Sequence, residues 1–194
     1  VELTDDDRER LHELRLRAFV TVADEAPERA HWQPLVDAGY ATVAPGRVMV
    51  SPVGRAAADE HARATGDAAD VAEAAYQSFV PINQRLLKVC HDWQLQRGGV
   101  PNDHTDADYD HKVIRRLHEV HARARRVLAV LAEPLPRFAA YEPRFTAALA
   151  RLDAGDRKWF ASPACDSYHT VWMQFHEDLL LATGHARTDE EAVQ

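Results

Sequence analysis

Apolar residues recur at helical spacing over most of the chain and alternate as in a β-strand only near residues 40–50. Leu11, Leu14, Ala18 and Phe19 predict an amphipathic helix over residues 5–20. Thr4 is placed to cap it, and the three aspartates that follow suit the positive end of its dipole. A second helix is expected from Pro27, carrying Trp32, Leu35 and Val36 and stopping at Gly39. Two β-prone runs, Tyr40–Val43 and Arg47–Val50, flank Ala44-Pro45-Gly46 and read as a hairpin. Pro52-Val53-Gly54-Arg55 then opens an alanine-rich helix that ends near Gly66.

Beyond this point the pattern is helical almost throughout. Residues 70–96 form one long stripe through Phe79, Ile82, Leu86, Val89, Cys90 and Trp93, with Pro81 expected to kink or break it and Gly98-Gly99 to end it. Thr105 or Asp106 is positioned to cap a helix over 107–132, whose apolar face holds Val113, Ile114, Leu117, Val120, Val127, Leu128 and Leu131. A shorter helix is expected from Pro143 to Asp153, and a last one from Ser162-Pro163 to just before Gly184. The fold class is therefore mainly α: helices around a small β-hairpin, followed by an antiparallel helical bundle. The domains are residues 1–66; 67–185, helical and ligand-binding; and 186–194, a disordered tail.

Two resemblances bear on this reading. The run from Leu35 to Ala62 resembles the end of a winged-helix domain of MarR-like regulators. In those, a recognition helix closes on a leucine–x–x–x–glycine turn, a β-wing follows, and a Thr/Ser-Pro-x-Gly-Arg step opens the next helix. The matching residues are Leu35, Gly39, Gly46, Arg47, Ser51, Pro52, Gly54 and Arg55. The later part of the chain resembles a group of actinobacterial winged-helix proteins with a helical C-terminal domain. The shared signature is matched by Asp92-Trp93-Gln94, Pro101–Asp106, Asp166–Trp172 and His176–Leu180. Together the resemblances imply that residues 1–66 are a truncated winged helix with a small β-wing, and that the chain is a small-molecule-responsive transcriptional regulator, expected as a homodimer. One departure counts against DNA reading: between Phe19 and Gly39 there is room for one helix and a stub rather than a helix-turn-helix.

Charge sharpens that doubt. The chain has 31 acidic against 23 basic residues and a formal net charge of -8, whereas DNA affinity depends on neutralising phosphates. Arg29, His31, Gln33 and Arg47 are the candidate DNA contacts, beside Asp24, Glu25 and Glu28 of the wrong sign. The polar start is no signal peptide, no apolar run is long enough for a membrane span, and Cys90 and Cys165 form no disulfide framework. A cytoplasmic protein without membrane contact is expected.

Three stretches are richer in functional side chains than a plain bundle needs. They are residues 91–94, 101–110 and 166–178. Candidate ligand-binding residues are Asn83, Trp93, Asn102, Asp103, His104, Tyr109, Tyr168, His169, Trp172 and His176. The alternative to a regulator is an acid/base enzyme, an isomerase, cyclase or lyase grown from a winged-helix ancestor. In it His104 or His169 is the base, oriented by Asp103 (or Asp106) and by Asp166. Structural roles compete at each position: turn chemistry for Asn102-Asp103-His104, backbone pairing for Asn83, core packing for the aromatic residues. Asp108–His111 and Asp166–His169 have a spacing that suits metal ligation, but chance explains such pairs and no metal or cofactor is expected.

Overall fold

The computed structural model describes residues 3–96 and 98–186. Its chain is mainly helical, 69% helix and 8% strand, with a small antiparallel sheet. It divides into two compact units between Arg63 and Ala64. The expected disordered tail falls outside the described residues, apart from Ala186.

In the first unit, Thr4 caps α1 (Asp5–Arg17) through a reciprocal box, its Oγ1 accepting from the Asp7 backbone and its own N–H donating to the Asp7 carboxylate. The helix stops short of the expected residue 20 because Ala18 turns the backbone to φ 64. Phe19–Thr21 then forms β1, a strand the periodicity did not reveal; its β-branched and aromatic residues suit the sheet better than another helical turn. The expected second helix starts at Pro27 but begins as a 3-10 turn to Trp32, and only Gln33–Asp37 is α-helical (α2). Strands β2 (Ala41–Ala44) and β3 (Arg47–Val50) pair around Gly46, with β1 on the far side of β3, giving the order β1-β3-β2. Ser51 caps α3 (Pro52–Ala62). The unit's core is Leu11, Leu14, Leu35, Ala41, Val48 and Ala58.

In the second unit, α4 (Asp67–Gln94) runs unbroken through Pro81, contrary to the expected break. Proline removes one backbone donor, a penalty of about 3 kcal/mol. Burial of Phe79, Ile82, Asn83 and Leu86 on either side outweighs it. The glycines do not end this helix. It stops at Gln94, and Gly98 and Gly99, both at positive φ, turn a two-stranded ribbon of β4 (Leu95–Gln96) and β5 (Val100–Pro101). Asp106 caps α5 (Ala107–Ala132) by accepting from the Tyr109 N–H. A 3-10 turn over Pro136–Ala140 leads into α6 (Tyr141–Asp153), and a single turn, α7 (Lys158–Ala161), follows. The last helix, α8 (Tyr168–Thr183), starts later than expected because Ser167 rather than Ser162 caps it. Helix α4 packs on α5 and α8, and α6 on α5 and α8, around one core.

Gly54 sits against the Tyr40 backbone where α3 leaves the sheet, and a Cβ there would run into the Tyr40 carbonyl. Gly54→Ala is expected to destabilise the first unit by about 3 kcal/mol, read as an early thermal transition, while Gly46→Asn, at φ 71 in open space, costs far less.

Candidate functional site

The 101–110 loop does build a side-chain cluster. Asn102 is buried and makes several hydrogen bonds. Its amide donates to the Trp93 carbonyl at 3.1 Å and to Asp110 Oδ1 at 2.9 Å, and its oxygen accepts from Gln96 Nε2 and the His104 N–H. His104 is at φ 61, in the left-handed region that His, Asn and Asp enter more often than other non-glycine residues. Its Nδ1 lies 3.0 Å from the Asp110 carboxylate and 3.1 Å from Asn102 Nδ2, so this ring nitrogen is held between the two side chains. The ring lies 4.4 Å from Trp93, which stacks on Phe160 at 4.2 Å. Arg157 Nε reaches the same carboxylate at 3.3 Å. Tyr109 closes the edge, donating to the Asp92 and Leu95 carbonyls.

The acid that orients His104 is thus Asp110, not Asp103 or Asp106. The Asp103 carboxylate is turned onto the Thr105 backbone and hydroxyl, whose hydrogen bonds hold its pKa below the ordinary value, and Asp106 is spent as the α5 cap. Asp110 was legible in principle, because it falls in register with Val113 and Leu117 on the buried face of α5.

The remaining expected residues lie elsewhere. Asn83 accepts from the Trp172 indole N–H at 2.9 Å, which pairs its carboxamide oxygen across the core. His176 is buried with its ring 4.9 Å from Phe79, not on the helix flank. Asp166 does not orient His169; it accepts from Arg144 Nε at 3.0 Å. His169 is half-buried, and burial pushes its pKa down. Asp108 and His111 are both exposed. Among the described residues no group of three or more His, Cys, Asp or Glu side chains is placed to hold a metal ion. No described helix is long and apolar enough to cross a membrane.

Three of the four candidate DNA contacts are engaged within the first unit. Arg29 pairs with Asp24 at 2.7 Å, and Asp24 also takes the Gly46 N–H. Gln33 donates to Asp37. Arg47 lies over the Phe19 ring. His31 is exposed.

Two features escaped sequence reasoning. One is a buried ion network in which Asp178, 1% exposed, accepts from Arg137 Nε at 2.9 Å and Tyr141 Oη at 3.0 Å. Its signal was Asp178 lying three residues after Phe175 on the core face of α8. The other is a set of buried polar atoms without a hydrogen-bond partner among the described residues: Tyr168 Oη, His121 Nδ1 and Glu142 Oε2. The His121 and Tyr168 rings are 6.0 Å apart, and His121 Nε2 stands 4.0 Å from the other Glu142 oxygen. Burial pushes the Tyr168 hydroxyl far above its ordinary pKa and raises the Cys90 thiol to about 11.

A groove between α4 and α5 contains none of the candidate site residues chosen from the sequence. It has a volume of about 440 Å³. Ala75, Ile82 and Val127 form its buried floor, with Pro81 and Val130 beside them. Arg85, Arg123 and Arg126 stand at its exposed edges.

Tyr168→Phe removes a hydroxyl with no hydrogen-bond partner among the described residues, so unfolding in urea should show stability unchanged or slightly raised. Tyr141→Phe, which removes one of the hydrogen bonds to the Asp178 carboxylate, should cost about 1–3 kcal/mol. A pH effect follows from His121 and His169. Burial lowers both below 6.5, for His121 against the opposing pull of Glu142 and with Arg125 and His118 adding to the decrease. Between the folded pKa values and 6.5 the unfolded chain binds more protons, so stability is complete above about pH 6.5 and falls on acidification. His121→Gln with His169→Gln should flatten the urea midpoint between pH 7.5 and 5.5. Compared with protein-family models, curated proteins and solved structures, the chain finds no match in any of the three.

Proposed function

We propose that the protein is a ligand-responsive regulator on a winged-helix frame, whose effector occupies the groove between α4 and α5 and whose first unit makes protein contacts rather than reading bases. The observation that carries this reading is the separation of chemistry from space. The groove is lined by apolar and guanidinium groups. The His104–Asp110 pair, the strongest acid/base arrangement, is consumed in tying the 101–106 loop to α5 and α4. That favours binding over turnover.

The order β1-β3-β2, with α1 and α3 packed together, supports the winged-helix resemblance. Base reading is disfavoured because the element in the recognition position is one α-helical turn, and Arg29 and Gln33 are already paired to Asp24 and Asp37. The homodimer implied by the resemblance belongs to this reading. A second reading, a regulator that does bind DNA, is favoured by the complete wing and by Arg47 beside its turn. Incubating the protein with mixed-sequence duplexes at low salt and sequencing the retained fraction separates the two. No enriched sequence is expected. Enrichment of one sequence, with affinity falling steeply as salt rises, would replace the first reading with the second.

A further inference from the structure

We infer that the groove between α4 and α5 takes a soluble amphipathic anion, an organic carboxylate or sulfonate with an apolar body. This rests on the groove being the ligand site and adds the chemical class of its occupant. Arg116, Arg125, Arg137, Arg144 and Arg157 of the same unit each lie within 3.3 Å of a carboxylate oxygen. Arg85, Arg123 and Arg126 have no such partner among the described residues, in a chain with eight more acidic than basic groups. Glu119 borders the adjoining hollow with Arg123 and Arg126, yet forms no ion pair with either. Three unpaired guanidinium groups from two helices therefore face one trough. Their planar donor forks match a carboxylate or sulfonate head.

The floor selects the rest of the ligand. Ala75, Ile82 and Val127 are buried beneath the trough, and Val130, 56% exposed, offers an apolar wall. On α5, Arg123, Arg126, Val127 and Val130 follow one another at i, i+3, i+4 and i+7, so charge and apolar surface share one stripe. A volume of about 440 Å³ falls in the range of small-molecule sites. A free molecule fits better than a lipid surface, because the net charge of -8 opposes approach to an anionic bilayer.

The test uses the full chain and an aromatic sulfonate, 8-anilinonaphthalene-1-sulfonate, as fluorescent reporter, displaced by octanoate or by 1-octanol. Octanoate is expected to displace it at least tenfold more effectively than 1-octanol. Arg85→Gln, Arg123→Gln and Arg126→Gln, all exposed positions with little call on folding, should each weaken octanoate threefold or more and leave 1-octanol unchanged. Val130→Asp should weaken both, with circular dichroism confirming the helices. Equal displacement by the two probes, with Val130→Asp still weakening both, would overturn the anion assignment and leave the groove as the ligand site. Binding that none of the four substitutions alters would remove the groove itself, and with it the functional reading above. Failure of octanoate to displace the reporter, or retention only on vesicles of phosphatidylcholine and phosphatidylglycerol, overturns the inference as well.

Discussion

The hydrogen bond from the Trp172 indole to Asn83 is the contact on which the helical unit is registered. Both side chains are buried, and each would cost a kilocalorie or more if left without the other. Apolar stripes alone tolerate sliding, because one leucine replaces another against a smooth partner. A single polar pair in the core does not. Phe79 stacks on Trp172 at 5.2 Å one turn before Asn83, so the same two helices are fixed by shape and by polarity at one level. From that level α8 delivers Phe175 to the ring of Phe145 and Asp178 to Tyr141 and Arg137, which locks α6 and the turn that precedes it.

This registration also decides which polar groups are left for chemistry. At the far end of α4, Trp93 is placed for Phe160 to stack on it, and its carbonyl for Asn102 to bond. His104 and Asp110 are drawn into that arrangement. An imidazole oriented by a carboxylate is the usual preparation for proton transfer. Here the same carboxylate also receives Asn102 and Arg157, and the backbone at His104 adopts positive φ, which suits a loop clamp. Conversely, the guanidinium groups over the α4–α5 groove are engaged by no carboxylate among the described residues.

Much of the architecture was legible in residues whose effect is local. Thr4, Ser51 and Asp106 cap where their side chains predict, and Gly39 and Gly46 turn where positive φ is needed. What could not be read depended on partners distant in sequence. Phe19–Thr21 looks helical by spacing and becomes a strand because β3 offers an edge. Pro81 fails to break α4 because tertiary burial outweighs a lost backbone bond. Of the side chains chosen for chemistry, Trp93, Asn102, His104 and Tyr109 do gather, whereas Asn83, Tyr168, Trp172 and His176 serve the core. Imidazoles and carboxylates attract notice in a sequence; arginines on a helix surface do not, since pairing is the default expectation for them and its absence shows only in three dimensions.

Helix α5 makes this division concrete, because its 3.6-residue repeat gives separate tasks to separate stripes. Asp110, Val113, Leu117, His121, Ala124 and Leu128 run along the buried stripe, beginning at the loop clamp and passing the Tyr168–His121–Glu142 group. Arg123, Arg126, Val127 and Val130 run along the neighbouring one and face the groove. The two stripes share a backbone, so a residue cannot be shifted along one without shifting the other. The register set by buried polar pairs therefore also fixes the spacing of the guanidinium groups, and the groove inherits its geometry from the core rather than from its own exposed side chains.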